Sequence, residues 1–196
     1  MKNGAGHIRI PSNQLVGEMV LQPEQHSTEW QVPVRIVASD DGAPKMVIRD
    51  FLSPADALIE VRASNKRRLL QDVASRAAVA LDLPADRICS ELLRREELGS
   101  TGTGGGIAIP HARMPEIRKP FGMLVRLKQP IEFDAIDDQP VEIVFLLLLP
   151  AVSAGEQLTA LAVVARKLRD AATIRRLRQA GDAAEFYQAM VAENSS

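Results

Sequence analysis

The chain has 196 residues, of which 46% are hydrophobic, 25% charged and 4% aromatic, and this composition predicts a globular domain with one core plus a tail. Its 24 Lys and Arg residues nearly balance 25 Asp and Glu residues, which excludes a global attraction to nucleic acid or anionic membrane. The longest apolar run, residues 141–152, is interrupted by Glu142 and Pro150 and is shorter than the roughly 20 residues that span a bilayer. Neither membrane insertion nor export is expected.

The first 45 residues are rich in Gly, Pro, Gln and Ser and show no sustained periodicity, which predicts a poorly ordered N-terminal tail at residues 1–45. Patterning sharpens from Met46. Residues 57–63 alternate as in a half-buried strand, and Ser64 is the expected cap of a helix that ends near Leu83. A second helix is predicted from Asp86 to Leu98, with Gly99 as its C-terminal cap.

Three further strands are predicted at residues 107–109, 121–127 and 142–149, each bounded by Pro or Gly. The last is apolar at every position after its first, so it should be a central strand covered by helices on both faces. The turn-rich segment at residues 129–140 is a candidate hairpin. Helices are predicted at residues 156–170, 172–180 and 182–193, the last opening with Asp182 and Glu185 as a capping box. The pattern indicates an α/β fold with a sheet between helix layers.

The segment GSTGTGGGIAIPHAR, residues 99–113, carries five glycines in its first eight positions. It is not a P-loop because no lysine follows the glycines, and it is not a dinucleotide fingerprint because it precedes a strand and has Ile107 where the third glycine belongs. Two interpretations stay open. Its backbone N–H groups could cradle an anion, or it is a connector that needs positive φ at several positions.

His111 is the only histidine after residue 26, and Cys89 is the only cysteine. One histidine and one cysteine do not make a zinc site, a lone cysteine gives no disulfide framework and fits a reducing cytoplasm, and no hydrolase triad motif is present. His111 is either a structural histidine at a strand end or a phosphoryl acceptor. The second interpretation draws on the glycine segment and on nearby Arg94, Arg95 and Arg113, since a neutral imidazole is a nucleophile and cations stabilise phosphoryl oxygens.

The segment LLRREELGSTGTGGGIAIPHAR resembles the active-site signature of the enzyme IIA domains of the bacterial phosphotransferase system, fructose and mannitol type, and is most similar to the nitrogen-related branch. The similarity continues through PIEFDAIDDQPVEIVFLLLLP, LTALAVVARKLRD and IRRLRQA. It implies a mixed β-sheet sandwiched between helices, and it assigns residues 46–194 to such a domain. No metal or cofactor is implied.

The resemblance implies that His111 accepts a phosphoryl group from a phosphocarrier of the HPr type and that Arg95 is the active-site arginine. The residues it implies for phosphate binding are Gly99, Ser100, Thr101, Gly102 and Gln157. Gln157 departs from the family, whose members usually carry a second active-site histidine in this segment. A glutamine can donate a hydrogen bond to a phosphate oxygen but cannot titrate, and it is equally well a plain polar residue in the first turn of a helix.

The resemblance predicts a cytoplasmic phosphoryl carrier that signals through its phosphorylation state, with roles in nitrogen and potassium homeostasis. Expected partners are the HPr-like carrier and regulatory targets such as potassium transport or a sensor kinase, and neither nucleic acid nor membrane. Two alternatives are kept. One is a regulatory binding paralogue that has lost phosphorylation because Gln157 replaces the second histidine, and the other is a sugar-specific enzyme IIA that feeds a separate permease.

Overall fold

The structure, a computed structural model, describes residues 46–152 and 154–192. The tail predicted at residues 1–45 lies outside the described residues and stays a prediction. A single 3-10 turn, Ile48–Asp50, opens the described part. The strands and helices that follow are β1 Leu52–Val61, α1 Lys66–Leu81, α2 Ala85–Glu97, β2 Gly102–Gly104, β3 Ile107–Ala108, β4 His111–Met114, β5 Phe121–Ile131, β6 Val141–Pro150, α3 Ala154–Lys167, α4 Ala171–Gln179 and α5 Ala183–Val191.

The strands form one mixed sheet in the order β1-β5-β6-β3-β2. β5 and β6 are antiparallel, and β1 runs parallel to β5. The segment predicted as a candidate hairpin contributes its first three residues to β5, and residues 132–140 connect β5 to β6 without strands of their own, so that prediction was wrong. β3 and β4 both run parallel to β6 and pair with successive parts of it, Ile107 opposite Ile143 and His111 opposite Leu147. The expected α/β class with a mixed sheet between helices is confirmed.

Strand β6 is the centre of the molecule because its two faces belong to two different apolar clusters. Val144, Leu146 and Leu148 pack with α1 and α2. The alternating residues on the other face pack with α3, α4 and α5: Ile143, Phe145, Leu147 and Leu149. All seven side chains are 0–2% exposed, as the prediction of a doubly covered strand requires. None of the helices within the described residues is long and apolar enough to cross a membrane.

The helix ends follow from local hydrogen bonds. The Asn65 side chain accepts a 2.9 Å bond from the Arg68 N–H at the start of α1, so the prediction of Ser64 as the cap was wrong by one residue. The cap of α5 is confirmed, since Asp182 accepts from the Glu185 N–H at 2.8 Å. Glu185 in turn accepts from the Gly181 N–H, not from that of Asp182, because its carboxylate reaches one residue further back than a standard capping box does.

The glycine segment forms a tight antiparallel hairpin, β2–β3, with Gly102 opposite Ala108 and Gly104 opposite Ile107. φ is +89°, +62° and +78° at Gly104, Gly105 and Gly106, which supports the interpretation of a connector that needs positive φ. A Cβ on Gly102 would lie 2.7 Å from the Ala135 Cα, so this glycine also permits close packing against the β5–β6 connection. The segment before β3 was predicted as a loop, and β2 was missed because three residues, two of them glycine, carry no strand pattern in the sequence.

Candidate functional site

His111 is the first residue of β4, where the edge of the sheet resumes after Ile109 and Pro110. The prediction placed it at the end of a strand, and it instead opens a separate strand that pairs with β6. Helix α2 packs against β4 and brings Arg95, in its last turn, to the imidazole. His111 is half-buried, so the sheet and α2 hold the ring while part of it faces solvent.

Both nitrogens of the His111 ring have a partner. Nδ1 lies 2.8 Å from the Ile109 carbonyl oxygen, and Arg95 Nε donates to Nε2 at 3.0 Å. A carbonyl oxygen can only accept and a guanidinium can only donate. The partners therefore assign the neutral tautomer with its proton on Nδ1 and a lone pair on Nε2.

The surroundings lower the pKa of His111 from its ordinary value of 6.5. The largest cause is burial, which penalises the imidazolium, and the positive charges of Arg95 and Arg113 act in the same direction. The hydrogen bond to the Ile109 carbonyl and the charge of Glu96 oppose the shift and raise the pKa. The net lowering keeps the ring neutral at pH 7, which is the form that a nucleophile needs.

Arg95 joins the imidazole to the start of the glycine segment. Its Nη1 donates to the Gly99 carbonyl at 2.9 Å while its Nε contacts His111. Gly99 follows α2 with φ of +139°, a conformation that favours glycine. The guanidinium also lies beside the carbonyl end of α2, where a positive charge is favourable.

The other residues predicted to bind phosphate lie further along the same segment. The Gly99 N–H donates to the Glu96 carbonyl at 3.1 Å, and the Thr101 N–H donates to Glu96 Oε1 at 2.9 Å. The Gly102 N–H donates to the hydroxyl of Ser100 at 3.1 Å, and that hydroxyl donates to the Phe133 carbonyl. Three N–H groups that would serve an anion are thus engaged within the protein, and phosphate binding by these residues stays a prediction.

Helix α3 begins beside the site. The backbone of Gln157 belongs to α3, but its side chain lies outside the part of the chain that the structure describes, so its predicted role stays a prediction. Leu158 and Leu161 of the same helix line a cleft of about 550 Å³ that contains His111 and Arg95.

This cleft combines exposed apolar and cationic side chains. Leu98 and Leu158 are 83% and 65% exposed, and Arg94 and Arg113 are exposed at its rim. Neither leucine was predicted from the sequence to belong to the site. For Leu98 the available signal is its position, since it directly follows α2 and lies off the helix face that buries Ile88 and Leu92. Among the described residues, no group of three or more His, Cys, Asp or Glu side chains could hold a metal ion.

The family model for the phosphoenolpyruvate-dependent sugar phosphotransferase system, EIIA 2, matches residues 50–192. The chain belongs to this family, which confirms the resemblance.

Relatives named nitrogen regulatory protein share much of the sequence. The protein from Bradyrhizobium diazoefficiens is 39% identical over 145 residues, which cover 74% of this chain and 95% of the relative. The protein from Escherichia coli K12 is 43% identical over 129 residues, covering 65% and 79% of the two chains. The crystal structure of nitrogen regulatory protein IIA-Ntr from Neisseria meningitidis superposes with a TM-score of 0.68 at 30% identity, covering 72% of this chain and 97% of that one.

Proposed function

We propose that this protein is a phosphoryl carrier and regulatory component of a nitrogen-related phosphotransferase system, with His111 as the acceptor. The observation that carries the proposal is the pair of contacts on the imidazole, which leave a lone pair on Nε2 next to a guanidinium. The names of the relatives support the regulatory branch. The donor in this proposal is the phosphohistidine of an HPr-like carrier.

The transfer step needs little rearrangement. Arg95 Nε moves off Nε2, whose lone pair attacks phosphorus. A new N–P bond forms as the N–P bond of the donor breaks, and the donor nitrogen keeps that electron pair. No proton leaves His111, because its N–H stays on Nδ1 and continues to donate to the Ile109 carbonyl. The freed donors of Arg95 then bind the phosphoryl oxygens as charge spreads onto them.

The cleft supplies the docking surface in this proposal. Exposed Leu98 and Leu158 offer apolar contact around the acceptor, and Arg94 and Arg113 attract a donor that carries a phosphoryl group. Once His111 is modified, the phosphoryl group brings about two negative charges into the same cleft, and the ring that keeps its Nδ1 proton offsets one of them, so the cleft becomes more negative. A target that binds the unmodified, cationic cleft then binds less well, which makes phosphorylation a switch. Targets in potassium transport or a sensor kinase, in a cytoplasmic setting, extend the same proposal.

The test is phosphoryl transfer in a purified system. The full chain is incubated with enzyme I, the HPr-like carrier and ³²P-labelled phosphoenolpyruvate, and acid-labile label is counted. We expect label on the wild type and on the control His26→Ala, and none on His111→Ala. Arg95→Lys should label at least about tenfold more slowly, because an ammonium lacks the planar fork that reaches His111 and Gly99 together.

Absence of label on the wild type, with the carrier itself labelled, would reject the carrier proposal. The binding paralogue would then be favoured, and the departure at Gln157 is the observation that supports it. Label together with transfer onward to a sugar permease domain would favour the sugar-specific alternative.

A further inference from the structure

Glu96, the neighbour of Arg95 in the last turn of α2, carries a buried carboxylate with three donors. The Thr101 N–H donates to Oε1 at 2.9 Å and the Thr101 hydroxyl donates to Oε2 at 2.6 Å. Lys66 Nζ lies 2.7 Å from Oε1, and the Glu96 side chain is only 8% exposed. A carboxylate so far from water is stable only when it is fully paired, so Glu96 holds these groups in place.

The contacts continue from Glu96 to the acceptor. Thr101 uses its N–H and hydroxyl on Glu96, and its carbonyl accepts from the Ile109 N–H at 2.9 Å. The Ile109 carbonyl in turn accepts from His111 Nδ1. Arg95 contacts the other ring nitrogen, Nε2. Two adjacent side chains of one helical turn therefore reach both nitrogens of the imidazole, Arg95 directly and Glu96 through the backbone of two residues, Thr101 and Ile109.

Lys66 links the Glu96 carboxylate to α1 and to the β5–β6 connection. Its Nζ also donates to the Phe133 carbonyl at 3.0 Å and to Asp134 Oδ2 at 3.1 Å, and it lies 4.7 Å from the centre of the Phe133 ring. The first turn of α1 is thus tied to the end of α2 and to the β5–β6 connection. The positive charge of Lys66 also compensates the negative charge of the buried Glu96 carboxylate.

We propose that Glu96 is a positioning residue for His111. By holding Thr101, which accepts from the Ile109 N–H, it holds the backbone of Ile109 in the orientation whose carbonyl keeps the ring proton on Nδ1 and leaves Nε2 as the attacking atom. The expected effect of Glu96 on the rate of phosphoryl transfer rests on the proposed function of His111. Its expected effect on the His111 tautomer does not.

The experiment uses Glu96→Met, which has the same chain length and no acceptors, and the matched control Glu97→Met at the exposed next position. The His111 tautomer is read from its ¹⁵N chemical shifts, and labelling is followed as above. We expect Glu96→Met to raise the population of the tautomer protonated on Nε2 and to slow labelling about tenfold. Glu97→Met should match the wild type in both, and Glu96→Gln should recover part of the loss because its amide oxygen still accepts from Thr101.

A second pair covers the case in which Glu96→Met does not fold. Thr101→Val removes the hydroxyl donor and Thr101→Ser keeps it, so only the valine variant should shift the tautomer. Unchanged tautomer populations in a folded Glu96→Met or Thr101→Val protein would overturn the inference. If the tautomer shifts as expected but the wild type takes no label, the positioning role stands and the proposed function fails.

Discussion

At the scale of single residues, the site depends on the contrast between the two neighbours of one imidazole. The Ile109 carbonyl accepts and the Arg95 guanidinium donates, so these two contacts favour one neutral tautomer of the ring. The positive charge of Arg95 next to His111 disfavours the imidazolium. In the proposed function the same charge also binds the phosphoryl oxygens once His111 is modified.

The lowered pKa of His111 predicts how the free energy of unfolding depends on pH. Because the folded state binds a proton at this ring less readily than the unfolded chain does, the unfolded state is favoured as pH falls through the ordinary value of 6.5. The stability that the neutral ring contributes is fully present above that pH. We expect the free energy of unfolding of the wild type to fall more steeply between pH 7.5 and 5 than that of His111→Gln.

Urea titrations at several pH values measure the free energy of unfolding of both proteins. Subtracting the two values at each pH removes the contribution of the carboxylates, which are the same in both proteins. Parallel pH profiles for the wild type and His111→Gln would show that the ring titrates alike in the folded and unfolded states. The three histidines of the chain include His7 and His26, and both are retained in the comparison.

At the scale of elements, the long periodic segments were predictable and the short ones were not. The five helices of the described part and strands β5 and β6 lie close to where the sequence pattern places them, whereas β1 begins five residues before the strand predicted at residues 57–63. β2, β3 and β4 have two to four residues each. Of these, only β3 was predicted, because segments of two to four residues are too short to show a strand periodicity and their pairing partners decide whether they are extended.

The cap of α1 provides a matched test at this scale. Asn65→Ala removes the side-chain acceptor of the Arg68 N–H and should lower the free energy of unfolding by about 1 kcal/mol. Ser64→Ala, one residue earlier, should change it by less than about 0.5 kcal/mol. Equal effects of the two substitutions in urea denaturation would contradict the assignment of Asn65 as the cap.

At the scale of the whole molecule, β6 links two hydrophobic clusters. Leu146 faces α1 and α2, and Leu147 faces α3, α4 and α5, and neither side chain is exposed. The strand that supports His111, β4, pairs with β6 through this same region. The position of His111 is therefore coupled to both layers of helices.

Leu146→Ala and Leu147→Ala should each lower the free energy of unfolding by about 2–5 kcal/mol. Leu98→Ala, at a side chain that is 83% exposed, should change it by less than about 0.5 kcal/mol. Chemical denaturation of the three variants measures these values. A small effect at either buried leucine would mean that the layer on that face contributes little to the core.

The amino-acid sequence by itself was enough to predict the helices, the doubly buried strand β6, and His111 and Arg95 as candidate site residues, since periodicity and motifs are properties of neighbouring positions. The tertiary structure alone decided which atoms those residues meet. The contact of Arg95 with Nε2, the pairing of β4 with β6, and the tie from Lys66 through Glu96 to Thr101 all join segments that packing brings together. Such contacts form only when apolar burial fixes the layers, because each polar bond by itself contributes too little to choose its partner.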